Sequence, residues 1–151
     1  RITRGNGIMN FQPIESQPVE GKIKSTRSGA IISTETGMST AYSIKTIQDR
    51  GELFIQPQTS IYEGMIIGKQ NRSDDLSVNV CREKKLTNHR SSTSEISEHI
   101  NTPLQLSLDE SLAFISDDEL VEITPDSIRI RKKILKSSMR QKETRDKSKA
   151  K

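Results

Sequence analysis

The apolar run in residues 62–68 (YEGMIIG) constrains the fold more than any other part of this sequence. It is typical of a β-strand, and it leads directly into the polar residues 71–76 (NRSDDL). Farther along, residues 82–90 (REKKLTNHR) carry a group of cations. A strand that leads into cationic loops is an arrangement by which a rigid scaffold presents a phosphate-binding tip.

Other strands are predicted on both sides of this run. Residues 29–34 and 41–44 are short apolar runs around a turn at 35–37, which indicates a β-hairpin. Residues 47–51 favour one helical turn closed by Gly51, and residues 52–55 favour a strand. Residues 76–80 alternate apolar and polar side chains, as a half-buried strand does.

The second half of the chain adds a helix and another hairpin. Residues 91–102 are polar and without period, which predicts a loop. Ser107 and Glu110 have the spacing of a capping box, and the helix that follows should end near Ser116 with Leu108, Leu112 and Ile115 on one face. Residues 124–126 (TPD) predict the turn of a hairpin that contains Leu120, Ile123, Ile128 and Ile130. Residues 131–139 favour a helix or an extended arm.

Composition limits the size of the core. Only 30% of the 151 residues are apolar and 3% are aromatic, so the core must consist mainly of Ile, Leu and Val. We predict an α+β, mostly β fold: a small barrel or curved sheet with one or two helices. No stretch approaches the ~20 apolar residues that span a bilayer, and the lone Cys81 cannot form an intramolecular disulfide. We therefore expect a monomeric, cytoplasmic protein with no membrane partner.

Charge is concentrated at the end of the chain. Residues 129–151 contain eleven Lys or Arg and two acidic residues, although the net charge of the whole chain is only +4. Such segregation is typical of a segment that contacts a polyanion, although a solvated, disordered tail explains the composition equally well. Residues 137–151 are predicted to be a disordered basic tail. The candidate contacts nearest to the hairpin are Arg129, Arg131, Lys132 and Lys133.

The loop after residue 80 is the other candidate RNA-binding site. It combines point charges, bidentate guanidinium groups and neutral hydrogen-bonding groups, a mixture that suits a folded RNA backbone. The region contains no aromatic ring, which disfavours the reading of unpaired bases. An ordinary solvated loop is the alternative. The candidate residues are Arg82, Lys84, Lys85, Thr87, Asn88 and Arg90.

Enzymatic chemistry has little support in the sequence. Residues 64–70 (GMIIGKQ) have three residues between the glycines where a phosphate-binding loop needs four, and Gln70 replaces the metal-binding hydroxyl. His89 and His99 lack the spacing of a metal site, and residues 117–119 (DDE) favour a solvated acidic turn. We expect no catalytic residue, metal site or cofactor in this chain.

Several segments, in this order, resemble the C-terminal region of the BipA/TypA family of ribosome-associated translational GTPases. They extend from about Arg4 to Lys136 and are RGNGIMN, SGAIISTETG, QDRGELFI, YEGMIIG, NRSDDLSVN, KKLTNHR and DDELVEITPDSIRIRKK. The resemblance implies that residues 1–26 end a domain similar to domain V of elongation factor G. Residues 27–136 would form the family's C-terminal domain, with an RNA-binding loop at about 82–97.

The resemblance also implies a function. The chain would be a fragment that docks on the ribosome through large-subunit rRNA and A-site tRNA, in a factor linked to large-subunit assembly and stress adaptation. The GTPase domain, with its GTP and Mg²⁺, would lie upstream, in a bacterial cytoplasm or a plastid stroma. The alternatives are a free-standing ribosomal or RNA-binding protein and, with less support, a hydrolase or metal enzyme.

Overall fold

The computed structural model describes residues 8, 10–13, 15, 27–83 and 100–149. Its regular elements are eight strands and three helices, which confirms the α+β, mostly β class. In chain order they are β1 (Ala30–Ser33), β2 (Gly37–Met38), α1 (Ala41–Gln48), β3 (Gly51–Leu53), β4 (Ser60–Ile61), β5 (Met65–Gln70), β6 (Leu76–Val78), α2 (Leu108–Phe114), β7 (Glu119–Ile123), β8 (Ile128–Lys132) and α3 (Ser137–Lys149). None of the helices described is long and apolar enough to cross a membrane.

Residues 65–68 of the apolar run form the first part of the central strand, β5. One edge of β5 pairs antiparallel with β1, and the other pairs with β8 through Met65 and Ile66 and with β3 through Gly68 to Gln70. β6 adds to β1 in parallel, and β7 adds to β8, giving the order β6-β1-β5-β8-β7. β2 and β4 form a separate two-stranded sheet. Among the described strands the main sheet stays open, so the barrel-like closure that we expected is not seen.

Apolar side chains pack on both faces of β1 and β5. Ile31 and Ile67 join one cluster with Ile44 and Ile47 of α1. Ala30, Ile32 and Ile66 join the other with Phe114 of α2. The Phe114 ring packs edge-on against Phe54, with ring centroids 5.7 Å apart. The helices α1 and α2 thus cover clusters on opposite faces of the sheet.

The prediction of a strand at residues 41–44 is wrong, because these residues begin α1. The Thr40 hydroxyl caps the helix by accepting a hydrogen bond from the Ser43 amide at 3.2 Å. Ile44 and Ile47, three residues apart, both turn toward the core. The prediction that Gly51 closes a helical turn is also wrong, since Asp49 is the C-cap and Gly51 begins β3.

The capping box at α2 is confirmed, but the predicted apolar face is not. The Ser107 hydroxyl accepts from the Glu110 amide, and the Glu110 carboxylate accepts from the Ser107 amide. Ser111 and Phe114 are buried, whereas Leu108 and Leu112 are 39% and 53% exposed. The aromatic contact of Phe114 therefore sets the rotation of the helix.

The second hairpin is confirmed, with Thr124 and Ser127 hydrogen-bonded across the turn between β7 and β8. Beyond it, α3 occupies most of the segment for which the sequence predicted a disordered tail. Its first amide, at Ser137, donates to the Glu63 carboxylate at 2.7 Å. Residues 100–102 of the predicted loop are irregular, and residues 91–99 lie outside the described residues.

Candidate nucleic-acid interface

The structure describes five of the ten predicted RNA-binding residues. Lys84, Lys85, Thr87, Asn88 and Arg90 lie outside the described residues, as does most of the loop at about 82–97. Arg82 is the first residue of the predicted loop. The other four belong to β8 or directly follow it: Arg129, Arg131, Lys132 and Lys133.

The backbone at Arg82 is held against the start of α1. The Thr40 hydroxyl donates to the Arg82 carbonyl at 2.6 Å, and the Ser43 hydroxyl donates to the same carbonyl at 2.7 Å. The Thr40 amide donates to the Val80 carbonyl. Because Thr40 also caps α1, one residue fixes both the start of the helix and the backbone at Arg82. The Arg82 side chain is exposed.

Alternation along β8 separates its basic residues into two groups. Arg129 and Arg131 are half-buried on one face, whereas Ile130 and Lys132 are buried on the other. Lys133 follows the strand and is exposed. A polyanion at this surface could therefore reach Arg129, Arg131 and Lys133.

Lys132 has a structural role, which sets it apart from the other predicted site residues. It is 3% exposed, and its ammonium contacts three carboxylates: Asp75 at 2.6 Å, Asp118 at 2.7 Å and Glu119 at 2.9 Å. We call these four residues, together with Arg27, the ionic cluster. A lysine that is enclosed by carboxylates has no hydrogen to offer a phosphate.

Arg27 completes the ionic cluster from a distant part of the sequence. Its guanidinium donates two hydrogen bonds to the Glu119 carboxylate, at 2.6 and 2.8 Å. It also lies 4.8 Å from the centroid of the Phe114 ring and donates to the Phe114 carbonyl. The Glu119 side chain has no exposed surface, so it depends on both cations for its neutralisation.

The ionic cluster shifts two pKa values. Burial alone would lower the pKa of Lys132, but the hydrogen bonds to Asp118, Asp75 and Glu119 outweigh burial and raise it. Burial would raise the pKa of Asp118, but the hydrogen bond and charge of Lys132 lower it below its usual range. Both shifts favour the charged forms at neutral pH.

A smaller polar group lies on the outer face of β8. The Tyr62 hydroxyl donates to the Glu122 carboxylate at 2.5 Å, and the Arg131 guanidinium lies 3.8 Å from the same carboxylate. The pKa of Tyr62 is raised, mainly by burial and to a smaller extent by the hydrogen bond and the negative charge of Glu122. Glu122 therefore neutralises part of the charge that β8 presents.

The acidic run and the glycine-rich run have structural explanations. Asp118 and Glu119 contact Lys132, and the described residues contain no group of three side chains arranged to hold a metal ion. The run that resembles a phosphate loop is strand β5, with Met65, Ile66 and Ile67 buried. His89 and His99 lie outside the described residues.

Sequence reasoning missed Arg27, because its partner Glu119 is 92 residues away and nothing local marks either residue as paired. It also missed a cleft beside Arg82 that is lined in part by Tyr42 and Arg50. Both sites depend on contacts between distant segments, for which the residue pattern gives no signal.

Comparison with known proteins agrees with the sequence motifs. Residues 28–137 match the family described as TypA/BipA C-terminal domain. The chain is similar to a large ribosomal subunit assembly factor BipA from Synechocystis, with 47% identity over 132 residues that make up 87% of this chain and 22% of the relative. The protein of the same name from Bacillus subtilis is 44% identical over 150 residues, which cover 99% of this chain and 24% of the relative. The chain thus spans about a quarter of the length of these relatives.

Proposed function

The chain belongs to the TypA/BipA C-terminal domain family, and we propose that it docks a BipA-like factor on the ribosome during assembly of the large subunit. The relatives are named large ribosomal subunit assembly factors, which supports this role. The observation that carries the proposal is the double hydrogen bond to the Arg82 carbonyl from Thr40 and Ser43. It fixes the backbone at Arg82, the first residue of the proposed RNA-binding loop.

The proposed RNA contacts come from two surfaces. The loop at about 82–97 supplies Arg82, Lys84, Lys85, Thr87, Asn88 and Arg90. The end of the hairpin supplies Arg129, Arg131 and Lys133, while Lys132 supports that surface from within the ionic cluster. Lysine and arginine that neutralise phosphates release counterions, so binding should weaken steeply as salt rises.

The proposed partners are large-subunit rRNA and the acceptor end of A-site tRNA. An upstream domain would bind GTP with Mg²⁺ and hydrolyse it, and would thereby control how long the factor stays on the ribosome. The chain itself would supply electrostatic anchoring and no catalytic group. A contribution to stress adaptation and a cytoplasmic or plastid location belong to the same proposal.

The test is cosedimentation of the chain with purified large ribosomal subunits over a series of KCl concentrations. Lys84→Ala, Lys85→Ala and Arg90→Ala should each lower the slope of log affinity against log salt by about one if each residue contacts a phosphate. Arg72→Ala is the matched control, because Arg72 is an exposed arginine in the turn between β5 and β6 and outside the proposed contacts. An unchanged slope in the triple loop variant would refute the proposal. In the full-length factor, removing the loop should weaken ribosome binding and leave GTP affinity unchanged.

A further inference from the structure

A small cleft lies between α1 and the chain that follows β6, and Arg82 is part of its lining. Its volume is about 220 Å³. The buried Ile47 and half-buried Val78 form its apolar part. The polar and aromatic residues that line it include Tyr42, Thr46, Arg50, Asn79 and Arg82.

The two arginines of the cleft extend from backbone that is held in place. The Arg82 carbonyl accepts from Thr40 and Ser43, as described above. The Arg50 amide donates to the Ile47 carbonyl at 2.9 Å, and the Arg50 carbonyl accepts from the Asn71 amide at 3.0 Å. Both side chains are exposed, and neither guanidinium has a carboxylate partner among the described residues. Two exposed guanidinium groups that line one cleft have the chemistry to bind an anion.

Tyr42 supplies the aromatic ring that residues 82–90 lack. Its side chain is 38% exposed, and it lies on the first turn of α1, the same turn whose hydroxyls hold Arg82. An exposed ring next to cations is the combination that single-stranded nucleic-acid binders use, with bases stacked on rings and phosphates bound by arginine. Asn79 adds a side-chain amide, whose oxygen accepts from the Cys81 amide at 2.9 Å.

We propose that this cleft binds one unpaired RNA nucleotide, with the base stacked on Tyr42 and the adjoining phosphate held by Arg50 and Arg82. The residues that line the cleft indicate a nucleotide as its ligand. The two guanidinium groups favour an anion, and the exposed ring beside them favours a planar base over an acidic peptide side chain. This inference rests on the proposed function, because it places an unpaired residue of the docked RNA at the base of the loop.

The test uses the full 151-residue chain and a short, fluorescein-labelled oligoadenylate, with binding followed by fluorescence anisotropy. Tyr42→Ala should weaken binding about 5-fold to 140-fold, whereas Tyr42→Phe, which keeps the ring, should bind like the wild type. Arg50→Gln should lower the salt slope by about 0.7, the value for one phosphate contact on a single strand. Arg72→Gln is the matched control, and it should leave both affinity and slope unchanged.

A second measurement reports stacking directly. The chain contains two tyrosines and no tryptophan, so in Tyr62→Phe the only aromatic emission at long wavelength comes from Tyr42. Unlabelled oligoadenylate should quench that emission in Tyr62→Phe, and abasic ribose-phosphate oligomer should not. Circular dichroism of each variant confirms that it is folded.

The outcomes separate this inference from the proposed function. If Tyr42→Ala and Arg50→Gln bind oligoadenylate like the wild type, or if Tyr42 emission does not respond, the inference is overturned whether or not the chain sediments with ribosomal subunits. If the loop variants leave ribosome binding unchanged while the Tyr42 and Arg50 variants lose oligoadenylate binding, the proposed docking role is overturned and the nucleotide site stands.

Discussion

Glu119→Gln should destabilise the fold far more than the loss of an exposed charge such as that of Glu52. The Glu119 carboxylate accepts two hydrogen bonds from Arg27, lies 2.9 Å from the Lys132 ammonium and accepts from the Ser116 amide at 3.0 Å. A glutamine at this position keeps one acceptor but turns an N–H group toward Arg27 in either orientation of its amide, because each oxygen of Glu119 accepts from Arg27. Arg27 would then retain only Asp75, at 3.6 Å, as a carboxylate partner in the ionic cluster.

The magnitude follows from the burial of the groups that remain. Lys132 is 3% exposed and the Arg27 side chain 12% exposed, so water cannot replace the lost carboxylate at either cation. Removing one partner of a buried ion pair costs about 3–5 kcal/mol of unfolding free energy. For a chain of this length that corresponds to a fall in melting temperature of about 6–20 °C.

Urea unfolding followed by circular dichroism gives the free energy for each variant. Glu52→Gln is the control, because Glu52 pairs with Lys69 at 3.6 Å with both side chains about half exposed or more, and its loss should cost less than about 1 kcal/mol. Lys132→Met combined with Glu119→Gln should cost less than the sum of the two single changes, because the two residues contact each other and each single change removes the same 2.9 Å ion pair. If Glu119→Gln is no more destabilising than Glu52→Gln, or if the double variant is additive, the structural role of the ionic cluster is refuted.

Two further predictions concern pH and a glycine. Lys132 lowers the pKa of Asp118 in the folded protein, so the interaction between the two residues stabilises the fold above about pH 3.9, the usual pKa of an unfolded aspartate. This stabilisation is lost as the pH falls through the pKa of Asp118 in the folded protein. The gap in unfolding free energy between wild type and Lys132→Met should therefore narrow in acid titrations below that pH, and a constant gap would contradict the assignment. Gly64→Ala should cost at least about 1–2 kcal/mol in urea unfolding, because φ is +85° and an added Cβ would lie 2.7 Å from the Leu135 Cα; a neutral substitution would show that the turn can relax.

Short-range signals account for the parts of the fold that the sequence predicts correctly. The capping box at Ser107 and the turn at residues 124–126 each depend on side chains three residues apart, so their hydrogen bonds can be deduced from spacing alone. Residues 41–44 cannot be assigned from the sequence alone, because a short apolar run fits a strand as well as a buried helix face. The choice of helix depends on Thr40 and on the core that accepts Ile44 and Ile47.

Less of the candidate site than of the fold can be predicted from the sequence, because the geometry of the site depends on tertiary contacts. The basic residues of β8 look alike in the sequence, and only strand alternation separates Arg131 from Lys132. The carboxylate partners of Lys132 are 57 residues away at Asp75 and 14 residues away at Asp118. The proximity of Tyr42 to Arg82 likewise requires the parallel pairing of β6 with β1.

The formal charge of the C-terminal segment therefore overstates what a polyanion can contact. Lys132 is neutralised by the carboxylates around it, and Arg131 shares Glu122 with the Tyr62 hydroxyl. A phosphate that bound Arg131 would first have to displace Glu122, and the loss of that ion pair would offset part of the binding free energy. Lys133 and Arg82 are exposed. The electrostatic docking that we propose for this domain should thus depend on the few cations that the fold leaves at its surface, rather than on the number of basic residues in its sequence.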